Sequence, residues 1–153
     1  MKISQSGGSN FSGCPGKPRK STGDSVGTER LQFTEVEPPC QIILFVHDQP
    51  DILEARRFLF EALGYSVLTA DCGNKALSLL RLIPIDVVVV DYPMRSMSCE
   101  RTICRIREAD GDIPIVLSSD GSSTPQRLQR MVDASVNNYA GPTALLDALE
   151  ARL

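Results

Sequence analysis

The stretch Ile85-Asp86-Val87-Val88-Val89-Val90-Asp91-Tyr92-Pro93-Met94 decides the fold of this chain. Its four consecutive valines form a short run of β-branched apolar residues, which is typical of a parallel strand that is covered on both faces. Asp91 ends the run, and open α/β sheets place their ligand crevice at the carboxyl ends of the strands. A buried carboxylate is costly unless a cation pairs with it. The stretch therefore predicts a central strand with a chemical role at its end.

Further apolar runs alternate with helical patterns on either side of this strand. Four more strands are predicted at residues 41–46, 65–70, 113–117 and 135–139. Helices are predicted at residues 51–63, 74–82, 99–106, 125–132 and 145–153. In the first helix, Ile52, Ala55, Leu59, Ala62 and Leu63 recur at helical spacing and predict the buried face. Short connections between alternating strands and helices imply right-handed crossovers, and hence a doubly wound, five-stranded parallel α/β sheet of the flavodoxin-like type, (βα)5.

The composition indicates one domain with an appendage. The chain has 153 residues, a formal net charge of −3 and no apolar run near the roughly 20 residues that a membrane span needs. The first residues lack the apolar core of a signal peptide. We expect no direct nucleic-acid partner, no membrane span and a cytoplasmic location.

Residues 1–39 differ in composition from the rest. They are rich in Gly, Ser and Pro and show no helical or strand period, which predicts a disordered N-terminal arm before a domain at residues 40–153. A small basic cluster at residues 17–20 is interpreted as a solvated linker rather than a contact for an acidic partner. The stretch 13–17 looks like a phosphate loop but lacks the required glycine, hydroxyl and preceding strand.

Cysteine and histidine usage excludes several kinds of site. The five cysteines are an odd number without a C-x-x-C pair, so we interpret them as reduced thiols. His47 is the single histidine, which leaves little for a histidine-based metal cluster or a serine–histidine triad. We interpret it as a polar residue at a strand end rather than a phosphohistidine or a metal ligand.

Polar residues follow three of the predicted strands on one edge of the sheet. Asp48 follows the first strand, Asp91 the third, and Ser118 or Ser119 the fourth. Two carboxylates close together repel, and a hard cation with oxygen ligands, Mg²⁺, relieves the repulsion. The chemistry that fits is in-line attack by a carboxylate on a phosphoryl donor. The alternative is that both aspartates serve only as helix caps or turn residues.

Five segments of the chain resemble the receiver domain of bacterial two-component response regulators. They are ILFVHDQPDIL (43–53), GYSV (64–67), ADCG (70–73), DVVVVDYPM (86–94) and IPIVLSS (113–119). The resemblance covers about residue 41 to the C-terminus. It implies a non-enzymatic protein of a phosphorelay signal transduction system.

The resemblance also implies roles for particular residues. Asp91 would accept a phosphoryl group from a histidine kinase or phosphotransfer protein. Asp48, Asp91 and the main-chain carbonyl of Pro93 would hold Mg²⁺. Ser119 falls at the family's switch hydroxyl position, with Ser118 as the fallback if the strand is one residue shorter.

The chain departs from the family pattern at several positions. His47 replaces the first of two acids, which should lower the affinity for Mg²⁺. In the loop after the third strand, Arg95, Ser98 and Cys99 replace a proline and an aspartate–glycine pair. The lysine–proline pair expected after the fifth strand is Gly141-Pro142, and Gly141 cannot supply the lysine's cation.

Three functions remain open at this point. The leading hypothesis is a stand-alone receiver that binds a downstream protein target through its C-terminal helices, which could also form a homodimer, or through the N-terminal arm. The second is a pseudo-receiver, an interaction module that has the fold without the phosphorylation switch. The third is a small flavodoxin-like enzyme or nucleotide-binding protein, which is disfavoured because no glycine-rich loop follows the first strand.

Overall fold

The computed structural model describes residues 40–121 and 123–153. The predicted N-terminal arm, with its basic cluster, lies outside the described residues. Within the described part, no helix combines the length and the apolar character needed to cross a bilayer.

Five parallel strands form one sheet, and the valine stretch provides the central strand. The strands are β1 (Ile42–Val46), β2 (Ser66–Ala70), β3 (Val87–Tyr92), β4 (Ile115–Ser119) and β5 (Ala134–Asn137). The helices are α1 (Pro50–Ala62), α2 (Gly73–Leu82), α3 (Cys99–Ala109), α4 (Gln126–Met131) and α5 (Pro142–Glu150), with a 3-10 turn (Asn138–Ala140) after β5. The strand order is β2-β1-β3-β4-β5. The prediction of a doubly wound five-stranded sheet is confirmed.

The valines of β3 supply both hydrophobic cores because successive side chains of a strand point to opposite faces. Val87 and Val89 pack with buried residues of α1 and α5, whereas Val88 and Val90 pack with those of α2, α3 and α4. All four valines are fully buried. The strand therefore fixes both faces of the sheet and brings Asp91 to its carboxyl edge.

Helix α1 buries a different face from the one that the sequence pattern predicted. Its buried residues are Leu53 and Phe60, with Arg56 partly buried between them. Leu59 and Leu63, which the pattern placed in the core, are 37% and 50% exposed. The predicted stripe is therefore wrong. The buried face follows the 53–56–60 spacing, in which an arginine takes the middle position.

The last two strands also differ in their bounds from the prediction. Strand β4 extends through both serines, so Ser118 pairs with Asp91 and Ser119 with Tyr92. Strand β5 ends at Asn137 rather than at Tyr139, which lies in the following 3-10 turn and is 83% exposed.

Asp133 joins α3, β4 and the start of β5. Its carboxylate accepts a hydrogen bond of 2.8 Å from the main-chain N–H of Ile115 and forms an ion pair with Arg107. Burial raises the pKa of Asp133, but these two partners outweigh burial and leave the pKa below its ordinary value. The carboxylate is therefore ionised in the folded protein at neutral pH.

Candidate functional site

Two buried carboxylates lie at the carboxyl ends of two neighbouring strands. Val46 pairs with Val90 across β1 and β3, so Asp48 and Asp91 follow at the same edge of the sheet. The Asp48 and Asp91 side chains are each only 4% exposed. One oxygen of each, Oδ1 of Asp48 and Oδ2 of Asp91, is buried without a hydrogen-bond partner. Unpaired buried carboxylate oxygens are costly and favour binding of a cation.

The other oxygen of Asp48 is bound by the loop after β3. Its Oδ2 accepts hydrogen bonds from the N–H of Ser96 at 2.7 Å and from the Ser96 hydroxyl at 3.1 Å. Burial raises the pKa of Asp48, but these hydrogen bonds and one from Arg95 outweigh it, so the pKa lies below its ordinary value. Asp48 is thus an ionised carboxylate with one oxygen that lacks a hydrogen-bond partner.

His47 does not satisfy that free oxygen. Its Nδ1 lies 3.3 Å from Oδ1 of Asp48, but it already accepts a hydrogen bond of 2.9 Å from the N–H of Gln49. A nitrogen that accepts this bond carries no proton to donate. The imidazole therefore donates no hydrogen bond to Asp48 and adds no carboxylate to the site, and its proximity is one of the smaller causes that lower the pKa of Asp48.

Arg56 of α1 brings a positive charge to Asp91, which the sequence analysis did not anticipate. One of its guanidinium nitrogens lies 3.2 Å from Oδ1 of Asp91, 3.1 Å from Oγ of Ser118 and 3.2 Å from Oδ1 of Asn138. The Ser118 hydroxyl in turn donates to Oδ1 of Asn138. The guanidinium lies over the Phe45 ring, 5.9 Å from its centroid, a favourable position for a cation.

The structure separates the two candidate hydroxyls. Ser118 contacts Arg56 on the face of the sheet where Val116 packs against α1 and α5. Ser119 is one residue further along and therefore on the other face of β4, where Leu117 packs. The fallback residue, Ser118, is the one that shares its partner with Asp91, and Ser119 remains a prediction.

Cys99 supports the main chain at Asp91. Its Sγ donates to the main-chain carbonyl of Asp91 at 3.3 Å, from a position that is 5% exposed. Burial raises the pKa of the Cys99 thiol, and the carboxylates of Asp48 and Asp91 raise it further. The thiol therefore remains a protonated donor.

The residues present fit a magnesium ion in part. The free oxygens of Asp48 and Asp91 are hard ligands of the kind that Mg²⁺ takes, and main-chain carbonyls and water commonly complete its shell. Pro93 follows Asp91 by two residues, after a cis peptide bond from Tyr92. No group of three His, Cys, Asp or Glu side chains gathers into a metal site within residues 40–121 and 123–153. A magnesium ion here would therefore rest on two carboxylates and neutral ligands.

Comparison with known proteins identifies the family of this chain. The family model of the response regulator receiver domain matches residues 43–141. The chain belongs to the response regulator receiver family. The receiver is 30% identical over 112 residues to the transcriptional regulatory protein KdpE of Mycobacterium tuberculosis, an alignment that covers 73% of this chain and 49% of KdpE. It therefore spans about half the length of that relative.

Solved receiver structures agree with the fold of this receiver. It is similar to the response regulator TrrA of Thermotoga maritima in complex with Mg²⁺ and a beryllium fluoride, with 25% identity, a TM-score of 0.67 and coverage of 74% of this chain and 99% of TrrA. A second structure shows TrrA in complex with the histidine kinase ThkA, at 25% identity and a TM-score of 0.66, with coverage of 74% of this chain and 98% of that chain. The predicted family is confirmed.

Sequence reasoning missed Arg56, Asn138 and Ser96 in this receiver. The helical spacing of Leu53, Arg56 and Phe60 could have revealed Arg56, because it places the arginine on the face of α1 that meets the sheet. Nothing local in the sequence pointed to Ser96, which meets Asp48 only because the loop after β3 turns back toward β1.

Proposed function

We propose that this chain is a receiver that accepts a phosphoryl group on Asp91 from a histidine kinase or phosphotransfer protein and signals through contacts with a downstream protein. One observation carries the proposal. Asp48 and Asp91 each keep a buried carboxylate oxygen free of hydrogen-bond partners at the ends of adjacent strands. The proposal is supported by the similar protein TrrA, which is bound to Mg²⁺ and a beryllium fluoride in one structure and to the histidine kinase ThkA in another.

The proposed reaction moves one phosphoryl group. A carboxylate oxygen of Asp91 forms a bond to phosphorus while the bond between phosphorus and the donor breaks, and the donor leaves with the electron pair. Mg²⁺, held by Asp48, Asp91 and the carbonyl of Pro93, would neutralise charge on the phosphoryl oxygens. Cys99 fixes the main chain of Asp91, and the loop residue Ser96 orients Asp48.

The experiment is intact-mass analysis after incubation of the full chain with acetyl phosphate and Mg²⁺. We expect one phosphoryl adduct that disappears in Asp91→Asn and in the absence of Mg²⁺. Asp71→Asn is the matched control, because Asp71 follows β2 at the same edge but is an exposed side chain paired with Lys75. Absence of an adduct at every Mg²⁺ concentration would refute phosphorylation of Asp91 by this route.

The second candidate is the pseudo-receiver, and one observation favours it. The Arg56 guanidinium already pairs with Asp91 at 3.2 Å, which could satisfy the carboxylate without a metal or a phosphoryl group. In that case the fold would act as a phosphorylation-independent interaction module. The two candidates give opposite results in the adduct experiment.

The output surface, a cytoplasmic location and a homodimer through the C-terminal helices remain proposals. The exposed large apolar side chains of the described residues are Phe58 and Leu59 on α1, Leu63 directly after α1, Leu82 and Tyr139. Exposed apolar side chains grouped on one helix are suited to a protein contact. Helix α1 is therefore a further candidate contact surface beside the C-terminal helices.

A further inference from the structure

A phosphoryl group on Asp91 would add negative charge at this edge of the sheet, and Gly141, after β5, has no side chain that could neutralise it. Gly141 has φ +87° and ψ 170°, a backbone conformation that side-chain-bearing residues rarely adopt. A cavity of about 240 Å³ lies beside it, lined in part by Arg56, Asn138 and Leu145. A lysine at position 141 would strain this loop, so the local backbone is suited to glycine and a neutralising charge would have to come from another element.

Arg56 is the cation that contacts Asp91 among the described residues. It reaches the carboxylate from α1, whose buried Leu53 and Phe60 fix the helix against the sheet. The Arg56 side chain is only 19% exposed, and the Phe45 ring lies beneath its guanidinium. A guanidinium stays protonated at all physiological pH values and presents several donors in a plane, which matches phosphate oxygens.

The present contacts of the guanidinium are long for a charged group. One nitrogen, with two hydrogens, is shared among Asp91, Ser118 and Asn138 at 3.1–3.2 Å, whereas strong charge-assisted bonds are roughly 2.7–2.9 Å. Shared, long hydrogen bonds are readily exchanged for better ones. Phosphoryl oxygens on Asp91 would offer acceptors with more negative charge within reach of this group.

We propose that Arg56 binds the phosphoryl oxygens on Asp91 and so supplies from α1 the positive charge that Gly141 cannot supply from the loop after β5. This inference rests on the proposed phosphorylation of Asp91. The guanidinium exchanges its contact with the Asp91 carboxylate, and part of its contact with Asn138, for the phosphoryl oxygens. Arg56 is therefore a binding residue for the transferred group rather than a lock on the carboxylate.

The test compares the wild-type full chain with Arg56→Gln, Arg56→Lys and the matched control Arg57→Gln. Arg57 is the next residue of α1, but it is 59% exposed and pairs with Glu61 on the surface. Binding of beryllium fluoride in the presence of Mg²⁺ is followed by ¹⁹F NMR, and Mg²⁺ binding alone by calorimetry. Circular dichroism melting confirms that each variant is folded.

We expect Arg56→Gln to weaken beryllium fluoride binding by about 10- to 100-fold, the usual effect of losing a hydrogen bond to a charged group. Mg²⁺ alone should bind as tightly as in the wild type or more tightly, because a competing cation is gone from Asp91. Arg56→Lys keeps the charge but not the planar guanidinium, so its affinity for beryllium fluoride should lie between those of the wild type and Arg56→Gln. Arg57→Gln should bind beryllium fluoride as tightly as the wild type. If Arg56 had a purely structural role, Arg56→Gln would bind both Mg²⁺ and beryllium fluoride more weakly.

Three outcomes overturn the inference, and they differ in what else they overturn. If Arg56→Gln binds beryllium fluoride as well as the wild type, Arg56 does not bind the transferred group, and if it binds more tightly, Arg56 blocks the site. The receiver function itself survives in both cases. If the wild type neither binds beryllium fluoride nor forms an adduct with acetyl phosphate, the proposed function fails, and the role of Arg56 fails with it. Equal weakening of both ligands in Arg56→Gln also contradicts the inference.

Discussion

Two phenylalanines two residues apart on α1 provide a sharp test of which face of the helix is buried. Phe60 is fully buried, with its ring centroid 5.1 Å from that of Phe45 and 6.1 Å from that of Tyr65. Phe58 is 79% exposed. Phe60→Ala should therefore cost about 3–5 kcal/mol of unfolding free energy, because it removes a buried ring and two aromatic contacts. Phe58→Ala should change stability by less than about 0.5 kcal/mol.

The assay is urea unfolding of the full chain followed by circular dichroism at a helical wavelength. With a slope of about 1.5 kcal/mol per molar urea, typical of a domain of this size, Phe60→Ala should move the midpoint down by about 2–3 M. Phe58→Ala should leave the midpoint almost unchanged. Equal losses in the two variants, or a larger loss in Phe58→Ala, would show that α1 buries another face. The position of Arg56 beside Asp91 would then be wrong as well.

Three further predictions concern the ionised aspartates Asp48 and Asp133, the buried thiol of Cys99 and the amide of Asn138. The pKa values of Asp48 and Asp133 are lowered in the folded protein, so the stability that these residues contribute is complete above the ordinary aspartate pKa of 3.8 and is lost as the pH falls through their folded values. As the pH is lowered below about 4, the midpoint urea concentration should decrease, and it should decrease less steeply with pH in Asp133→Asn than in the wild type. An equally steep decrease in that variant would count against the lowered pKa of Asp133. Cys99, buried and with a raised pKa, should be alkylated by iodoacetamide more slowly than the exposed cysteines, as peptide mapping would measure, and a rate equal to theirs would contradict its burial. Asn138→Ala should retain binding of beryllium fluoride within about threefold, because it removes an acceptor that competes for the guanidinium and frees the Ser118 hydroxyl. A loss of about 10-fold or more by ¹⁹F NMR would make the amide part of the binding site.

The order of elements could be predicted from local sequence because the patterns of buried strands are local. The valine run of β3 has apolar residues on both faces, so both faces of the sheet must be covered by helices. This holds whichever parts of the chain those helices come from. Asp48 and Asp91 could be assigned to one edge for the same reason, since the carboxyl ends of parallel strands coincide. These inferences depend only on the order of residues along the chain and on the spacing of the apolar ones.

The face of α1 could not be predicted in the same way. Two apolar stripes run along this helix, and the sequence pattern selected the one with Leu59 and Leu63, which is exposed. The buried face carries Arg56, and an arginine at such a position looks unfavourable until its partner is known. That partner, Asp91, lies 35 residues away in sequence.

The sequence by itself determined the parallel sheet and the pair of aspartates at its edge, because these depend on short-range periodicity and on the common edge at which parallel strands end. The family followed from the resemblance of five segments to receiver domains. Only the tertiary structure decided that Arg56 meets Asp91, that Ser118 joins them, and that Ser96 fixes Asp48. These contacts join residues that are 35 to 62 positions apart, and their geometry depends on how α1 and the loop after β3 pack against the sheet. No local pattern encodes that packing, since it is fixed by burial of many side chains at once.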